Sequence, residues 1–329
     1  MKTILVTGGA GFIGSHLCEM LLRKGNRVYV IDNFNNYYNP SIKNSNIESV
    51  KRMCKVNNIE SINFKVLEGD IRDITFLNKV FSNKIDLVVH LAAMAGVRPS
   101  IQDPRLYYDV NIMGTLNLLE KCKENNIKQF IFASSSSVYG NNDKVPFEEV
   151  DMVDKPISPY AASKKAGELL CYTYHHLYDM NIACLRFFTV YGPRQRPDLA
   201  IHKFINLILE GKEIPFYGDG STSRDYTYID DIISGIICSI NYVNNNEKVF
   251  NIFNLGGDKT VSLSEMIETI EIALNKKANL NIMPMQAGDV NRTCADISYV
   301  RETIGYSPQI KFEDGIKKFI KWKFNSNIE

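Results

Sequence analysis

The length and charge of the chain indicate a sizeable protein without a strongly charged surface. The sequence has 329 residues, of which 45% are hydrophobic, enough for a substantial core or for two lobes that share one. Its 38 Lys and Arg residues balance 37 Asp and Glu residues, which leaves a formal net charge of +1. This balance favours neither a nucleic-acid partner nor a membrane-attracted surface.

The cysteines and the apolar segments favour a cytoplasmic protein. Seven cysteines are scattered without a CxxC pair, so we expect reduced thiols. The N-terminal apolar run leads directly into a glycine-rich turn, as a first strand does and a secretion signal does not. The longest apolar stretch, residues 87–97, is too short to span a bilayer. The five histidines show no metal-site spacing with Cys or carboxylates, so we expect no metal.

Short β-rich apolar runs alternate with longer amphipathic segments along the first half of the chain. The predicted strands are Thr3–Val6, Arg27–Ile31, Asn63–Leu67, Leu87–His90, Gln129–Ala133 and Ala183–Phe187. The predicted helices are Ile13–Lys24, Ile74–Phe81, Val110–Asn125 and Ala161–Tyr178. This alternation is typical of an α/β protein with a doubly wound parallel sheet.

Prolines and glycines become more frequent after about residue 190, which indicates a change of architecture. We predict a first domain over residues 1–185 and a smaller C-terminal α/β lobe over residues 186–329. Within the second part, residues of about 225–240 are expected to return to the first domain. The cleft between the two parts is the expected substrate site.

The first predicted strand ends in a glycine turn, TGGAGFIG. Gly8 permits the sharp turn, Gly11 lets backbone N–H groups approach a pyrophosphate, and Gly14 lets the next helix pack closely on the sheet. A glycine triplet alone is weak evidence, but this one follows an apolar strand and opens an amphipathic helix. We therefore predict a dinucleotide site.

Carboxylates at the ends of the next two strands refine this prediction. Asp32, followed by Asn33, ends the second strand, where it can accept hydrogen bonds from a ribose and would repel a 2′-phosphate. NAD is therefore favoured over NADP. Asp70-Ile71 follows the third strand and is expected near the adenine, although an ordinary acidic loop explains it nearly as well.

A helix that begins at Ser158-Pro159 carries the predicted acid–base pair. Ser158 suits the N-cap, and Tyr160 and Lys164 then lie four residues apart on one face. A nearby ammonium favours the phenolate and lowers the pKa of a tyrosine. On an isolated helix such a pair is more often a surface pair, but after a dinucleotide motif it predicts proton transfer coupled to hydride transfer. Ser135, at the end of the preceding strand, is the expected third member.

These motifs occur in order along nearly the whole chain, together with RFFTVYGPRQRPD and SRDYTYIDD. They resemble the extended short-chain dehydrogenase/reductase family and, within it, the nucleotide-sugar 4-epimerases. Three stretches resemble UDP-glucuronate 4-epimerases in particular: Ala95–Arg98, Arg186–Asp198 and Met285–Val290. Ala287 stands where that subfamily usually has proline. The resemblance implies a Rossmann fold, bound NAD, a UDP-sugar substrate and a homodimer.

The resemblance also implies a set of site residues. The catalytic residues would be Tyr160 as the base, Lys164 and Ser135. The NAD site would comprise Gly8, Gly11, Phe12, Ile13, Gly14, Asp32, Asn33, Asp70, Ile71, Leu91, Ala92, Ala93, Asn111 and Lys164. The substrate site would comprise Arg98, Ser135, Ser136, Ser137, Tyr160, Thr189, Arg196, Lys203, Arg224, Gln286 and Asp289.

The reaction that the resemblance implies is a transient oxidation at C4 of the sugar. Tyr160 would take the C4 hydroxyl proton while the hydride moves to NAD, and the 4-keto sugar would then turn and be reduced on its other face. A 4-keto uronate is a β-keto acid that readily loses CO₂, so its carboxylate must be held; Arg196 is the expected partner.

Other activities remain as alternatives at this stage. The dehydratases of this family carry an acidic pair beside the catalytic hydroxyl, and the decarboxylases carry a Glu near the end of the serine strand. Here Ser136 and Ser137 occupy those places, which disfavours both. A 4-epimerase for UDP-glucose or UDP-N-acetylglucosamine is the nearer alternative. A catalytically inactive NAD sensor is disfavoured because Tyr160 and Lys164 are both present.

Overall fold

The structure, a computed structural model, describes residues 1–284 and 292–326. Its strands are β1 (Thr3–Thr7), β2 (Arg27–Asp32), β3 (Phe64–Glu68), β4 (Leu87–His90), β5 (Gln129–Ser135), β6 (Asn181–Phe187), β7 (Thr189–Tyr191), β8 (Glu213–Tyr217), β9 (Ser223–Arg224), β10 (Tyr226–Tyr228), β11 (Phe250–Leu255), β12 (Val261–Ser262) and β13 (Asn279–Met283).

Twelve α-helices accompany these strands in the described residues. They are α1 (Phe12–Arg23), α2 (Pro40–Val56), α3 (Ile74–Phe81), α4 (Val97–Gln102), α5 (Pro104–Tyr108), α6 (Gly114–Glu124), α7 (Pro159–Tyr178), α8 (Ala200–Leu209), α9 (Ile229–Asn245), α10 (Leu263–Leu274), α11 (Ser298–Ile304) and α12 (Phe312–Ser326). A π-helical turn, Asp109–Met113, joins α5 to α6.

Seven parallel strands form one central sheet in the order β11-β6-β5-β4-β1-β2-β3. Successive side chains of a strand point to opposite faces. Ile4 and Val6 accordingly join one buried cluster with α1 and α2, while Leu5 joins a second cluster with α3, α6 and α7. Burial on both faces explains the nearly continuous apolar strands, and the predicted α/β fold class is confirmed.

Helix α9 packs against the central sheet and strand β11 joins it, and both come from the second part of the chain. Helix α9 packs against β5 and β6, and β11 then pairs in parallel with β6 along its whole length. The remaining strands of the second part form small pairs, β10–β7, β12–β9 and β13–β8. Loops from this second part therefore stand directly above the carboxyl ends of the central sheet.

Helix α7 begins as the sequence predicts. The Ser158 hydroxyl accepts a hydrogen bond from the Ala161 amide at 3.1 Å, and Pro159 occupies the first turn. This cap fixes the start of the helix that carries Tyr160 and Lys164. Within residues 1–284 and 292–326, no helix is both long and apolar enough to cross a membrane.

Candidate active site

The glycine turn between β1 and α1 leaves a helix N-terminus open to a ligand. Gly8 has φ of +72°, and a Cβ there would lie 2.8 Å from the Ala92 amide nitrogen. A Cβ on Gly14 would lie 2.2 Å from the Gly8 carbonyl oxygen. Gly11 is the N-cap and has no side chain to occupy the first N–H groups of α1. These groups and the helix dipole fit the pyrophosphate of a dinucleotide.

Asp32 lies at the end of β2 beside this turn and is buried. Its carboxylate accepts hydrogen bonds from the Ala10 amide at 3.2 Å and the Phe34 amide at 3.0 Å. The Lys43 ammonium lies 3.7 Å from the same carboxylate, in a position that the sequence did not suggest. The carboxylate is thus held in one orientation where an adenosine ribose would lie.

The Asp70 carboxylate is engaged within the chain. Arg72 donates to it from Nε and Nη2, each at 3.0 Å, and Asn33 donates at 2.8 Å. The hydrogen bonds from Arg72 lower the pKa of Asp70 to about 2. A role for Asp70 and Asn33 at the adenine stays a prediction.

Tyr160, Lys164 and Ser135 meet where β5 ends beside α7. The Lys164 ammonium donates to the Ala133 carbonyl at 2.7 Å and lies 5.9 Å from the centre of the Tyr160 ring. Ser135 ends β5 and faces the phenol, so one hydroxyl, one phenol and one ammonium share a small region of the cleft.

Burial and nearby charges act on the pKa values of Tyr160 and Lys164. Burial raises the pKa of Tyr160, and the groups that act to lower it are the Ser135 hydrogen bond and the Arg196 guanidinium. Burial also lowers the pKa of Lys164, to about 8. The charge of Arg196 thus favours the Tyr160 phenolate, and the role of the Lys164 ammonium at this phenol stays a prediction.

Asn111 lies behind the cleft, in the π-helical turn. Its side chain accepts from the Met94 amide at 2.8 Å and donates to the Met94 carbonyl and to the Ser163 hydroxyl, both at 2.9 Å. Ser163 in turn donates to the Tyr160 carbonyl at 2.8 Å. Asn111 therefore ties the loop after β4 to the first turn of α7.

One cavity of about 380 Å³ joins the glycine turn to the Tyr160 region. Of the predicted site residues, it is lined by Gly8, Gly11, Phe12, Ile13, Gly14, Asp32, Asn33, Asp70, Ile71, Leu91, Ala92, Ala93, Ser135, Tyr160, Lys164, Thr189 and Arg196. Residues from both parts of the chain thus share one cleft.

The other predicted site residues lie elsewhere. Ser136 and Ser137 form a 3₁₀ turn just beyond Ser135. Arg98 is exposed on α4, Lys203 is exposed on α8, and Arg224 is partly buried in β9. Gln286 and Asp289 lie outside the described residues.

Several residues that line the cavity were not predicted. Tyr37, Tyr38 and Lys43 come from the segment between β2 and the middle of α2, and Leu199 comes from the loop before α8. The repeated asparagines of that first segment gave no recognisable motif. The available signal was a lysine at a buried position of α2. It was missed because α2 itself was not predicted.

The chain matches the GDP-mannose 4,6-dehydratase family over residues 5–319. It is 43% identical over 331 residues to a UDP-glucuronate 4-epimerase of Thermodesulfobacterium geofontis, covering 100% of this chain and 98% of that one.

The chain belongs to this family. The resemblance to the extended short-chain dehydrogenases/reductases is thereby confirmed.

Two solved structures extend the comparison to the fold. The Bacillus cereus UDP-glucuronic acid 4-epimerase in complex with UDP-glucuronic acid and NAD is 37% identical, with a TM-score of 0.88 and coverage of 99% of this chain and 100% of that one. The Methanobrevibacter ruminantium UDP-N-acetylglucosamine 4-epimerase, in complex with UDP-N-acetylmuramic acid, is 34% identical with a TM-score of 0.86, and 99% of each chain is covered. Family members with this fold therefore act on more than one sugar.

Proposed function

We propose that this chain is an NAD-dependent UDP-sugar 4-epimerase that converts UDP-glucuronate to UDP-galacturonate. The observation that carries the proposal is the single cleft in which the glycine turn, Tyr160 with Ser135, and Thr189 with Arg196 line one continuous wall. The similarity to UDP-glucuronate 4-epimerases supports the choice of substrate.

Tyr160 is the group that exchanges a proton with the sugar. Its phenolate takes the proton of the C4 hydroxyl, and Ser135 holds that hydroxyl through a hydrogen bond. The positive charge of Arg196 favours the phenolate, whereas burial opposes it. After the sugar has turned, Tyr160 returns the proton to the oxygen on the opposite face.

Bound NAD supplies the hydride acceptor for C4 and returns the hydride after the sugar has turned. The residues proposed to hold it are the glycine turn at the pyrophosphate, Asp32 at the ribose, and Lys164 near the nicotinamide ribose. Because Lys164 is tied to the Ala133 carbonyl at the end of β5, its ammonium has a fixed position relative to the floor of the cleft.

The carboxylate of the uronate is proposed to lie between Thr189, Arg196 and the turn that carries Ser136 and Ser137. Holding it fixes the C5–C6 bond out of line with the C4 ketone, so that CO₂ is retained. The UDP portion is proposed to lie near Lys203, Arg224, Gln286 and Asp289. Arg98 is proposed to contact the substrate at the rim of the site.

The experiment that tests the substrate uses the purified protein with UDP-glucuronate, UDP-glucose and UDP-N-acetylglucosamine in separate incubations, with products followed by NMR. We expect UDP-galacturonate to accumulate from UDP-glucuronate much faster than either neutral product forms. Turnover of neutral sugars alone would contradict the proposal and would favour a 4-epimerase for UDP-glucose or UDP-N-acetylglucosamine.

We also infer that two copies associate through α6 and α7. Large apolar side chains are exposed on and beside these helices: Tyr108, Met113, Leu169, Tyr172 and Leu177 are between 40% and 59% exposed. Large apolar side chains exposed on two helices that contact each other favour a protein–protein interface. Light scattering after size exclusion should give about 75 kDa, twice the chain mass of 37.4 kDa, whereas Leu169→Glu should give monomers.

We further propose a reducing, cytoplasmic location. The structure describes all seven cysteines, and each is a free thiol. Six are buried, and burial raises the pKa of thiols such as Cys18 and Cys294, which keeps them protonated and unreactive. Titration of the unfolded protein with a thiol reagent under non-reducing conditions should give seven thiols per chain.

A further inference from the structure

The Arg196 guanidinium is held along one edge by a neighbouring carboxylate. Its Nε donates to Asp198 Oδ1 at 3.1 Å, and its Nη2 donates to Asp198 Oδ2 at 2.9 Å. The Arg196 side chain is 16% exposed, whereas that of Asp198 is 48% exposed. Asp198 therefore lies on the solvent side of the pair and Arg196 on the side of the cleft.

This pairing leaves a defined set of donors for a ligand. A guanidinium has five N–H groups in one plane. Asp198 takes one from Nε and one from Nη2, so three remain, two on Nη1 and one on Nη2. One N–H of Nη1 and one of Nη2 lie on the end of the guanidinium, where together they match the two oxygens of a carboxylate. Among the described residues, the second edge of the fork has no hydrogen-bond partner, and Arg196 lines the cleft.

The plane of the guanidinium is fixed by an aromatic ring. Arg196 Cζ lies 5.0 Å from the centre of the Tyr37 ring. The Tyr37 hydroxyl donates to the Ala95 carbonyl at 2.7 Å, and Tyr107 donates to the same oxygen at 2.9 Å. Tyr37 is therefore anchored at its far end, and its face supplies a rigid surface for the cation.

The loop that carries Arg196 is also anchored at its base. His16 Nε2 lies 2.9 Å from the Pro193 carbonyl, and the Arg194 guanidinium lies 2.5 Å from Glu19. Burial lowers the pKa of His16 to about 3, so the ring is neutral and donates this hydrogen bond. Two contacts to α1 thus fix the backbone just before Arg196.

We propose that Asp198 and Tyr37 are positioning residues that aim the free edge of Arg196 at the C6 carboxylate of the substrate. This inference rests on the proposed function, since it requires a uronate. Asp198 fixes the rotation of the guanidinium within its plane, and Tyr37 fixes the plane. Arg196 then needs no rearrangement when the carboxylate arrives, which strengthens binding of a uronate and leaves a neutral sugar unaffected.

The same arrangement controls a side reaction. Oxidation at C4 transfers a hydride to NAD and a proton to Tyr160, and it yields a β-keto acid. If its carboxylate rotates, the C5–C6 bond breaks, CO₂ leaves, and the electron pair forms an enolate that takes up a proton at C5. The product is a UDP-4-keto-pentose, so loosening Arg196 should raise the amount of CO₂ released per epimerisation.

The test measures affinity and partitioning in separate backgrounds of the NAD-loaded protein. In a Tyr160→Phe background, where turnover is blocked, calorimetry gives the Kd of UDP-glucuronate and of UDP-glucose. With Tyr160 present, trapping of CO₂ from substrate labelled at C6 gives the partition ratio. The variants are Asp198→Asn, which keeps the size of the side chain, Tyr37→Leu, and Tyr37→Phe, which keeps the ring and removes its hydrogen bond to the Ala95 carbonyl. Glu210→Gln, which breaks the exposed pair with Lys212, controls for loss of a surface ion pair.

We expect Asp198→Asn and Tyr37→Leu to raise the Kd of UDP-glucuronate about tenfold, the scale of one charge-assisted hydrogen bond, with the Kd of UDP-glucose unchanged. Both should raise the CO₂ fraction. Tyr37→Phe should change the Kd and the CO₂ fraction less than Tyr37→Leu does, and Glu210→Gln should change neither. Tighter binding of UDP-glucuronate by Asp198→Asn would show that Asp198 competes with the substrate and would overturn the proposal. Equal losses for both sugars, or no loss, would overturn it as well.

The proposed function is tested separately by the unsubstituted protein. If that protein epimerises UDP-glucuronate, the function stands whatever the variants do. If it does not, the proposed function fails before the variants are compared.

Discussion

The two halves of the cleft are built in different ways. The cofactor half consists of backbone at the ends of adjacent parallel strands, where Gly8, Gly11 and Gly14 leave room for a ligand and for free N–H groups. The substrate half consists of side chains from distant segments, such as Tyr37 and Arg196, which contact each other across the cleft. A local sequence motif therefore predicts cofactor binding, whereas sugar selection depends on contacts that form only in the folded chain.

The largest expected effect lies where the two halves meet. Tyr160→Phe removes the hydroxyl that exchanges the proton, so kcat should fall by about 1,000-fold or more. The phenyl ring keeps the packing against Tyr107, so bound NAD should stay in place. Activity assays and the NAD content of the purified variant check this, and substantial activity would remove Tyr160 from the mechanism.

A change in the substrate half should be selective. Arg196→Ala removes the proposed partner of the uronate carboxylate and should lower kcat/KM for UDP-glucuronate by about 100-fold, the upper range for a hydrogen bond to a charged group. NAD content should be unchanged. The control is Arg301→Ala on α11, which breaks an exposed ion pair between Arg301 and Asp258. An equal loss of binding for UDP-glucose would assign Arg196 to the diphosphate or to the scaffold.

A change in the cofactor half should act on NAD. In Gly14→Ala the new Cβ would meet the Gly8 carbonyl oxygen at 2.2 Å, so the turn must shift. We expect NAD affinity to fall by about 5- to 150-fold, the range that about 1–3 kcal/mol of overpacking produces.

The amount of NAD released on denaturation measures this loss. Gly25→Ala is the matched control, because a Cβ there meets nothing within 4 Å although its φ is +77°. That variant should lose stability and keep its NAD. Full NAD content in Gly14→Ala would contradict our account of the turn.

The smallest effect concerns the buried ammonium of Lys164. Burial lowers its pKa in the folded protein to about 8, against 10.5 for an ordinary lysine. Between these two values the unfolded chain binds a proton that the folded NAD-free protein does not. The free energy of unfolding should therefore rise with pH across this window, and this contribution is lost as the pH falls.

Denaturant unfolding of the NAD-free protein between about pH 8 and pH 10.5, the window set by the two pKa values, measures this dependence. Lys164→Met should reduce the rise, because its side chain does not titrate. Identical pH dependence in both proteins would show that Lys164 stays charged when buried.

The same contrast explains how much of the molecule was predictable. The six predicted strands all occur in the central sheet within one or two residues of the expected ends, since buried parallel strands are continuous apolar runs. Helix α2 was not predicted, because its buried stripe includes the polar residues Lys43 and Asn46. Strand β11 was not predicted either, since its partner β6 lies more than 60 residues earlier in the chain.

In the cleft, sequence motifs predicted most residues of the cofactor half and only some residues of the substrate half. Arg196 was named by resemblance, but its pairing with Asp198 and its contact with Tyr37 depend on where two loops meet in space. Arg196, from the other half of the cleft, also acts to lower the pKa of Tyr160, and spacing along a helix does not indicate this contribution. Sequence spacing indicates which side chains share a helix face and does not indicate burial or long-range charge.

We expect the hydride to leave C4 and to return to the same carbon without exchange with solvent. Incubation of the protein with UDP-glucuronate carrying deuterium at C4, followed by NMR of the UDP-galacturonate formed, tests it directly. Our account predicts that the product keeps its deuterium at C4 after complete equilibration in ordinary water. Replacement of that deuterium by solvent hydrogen would contradict it.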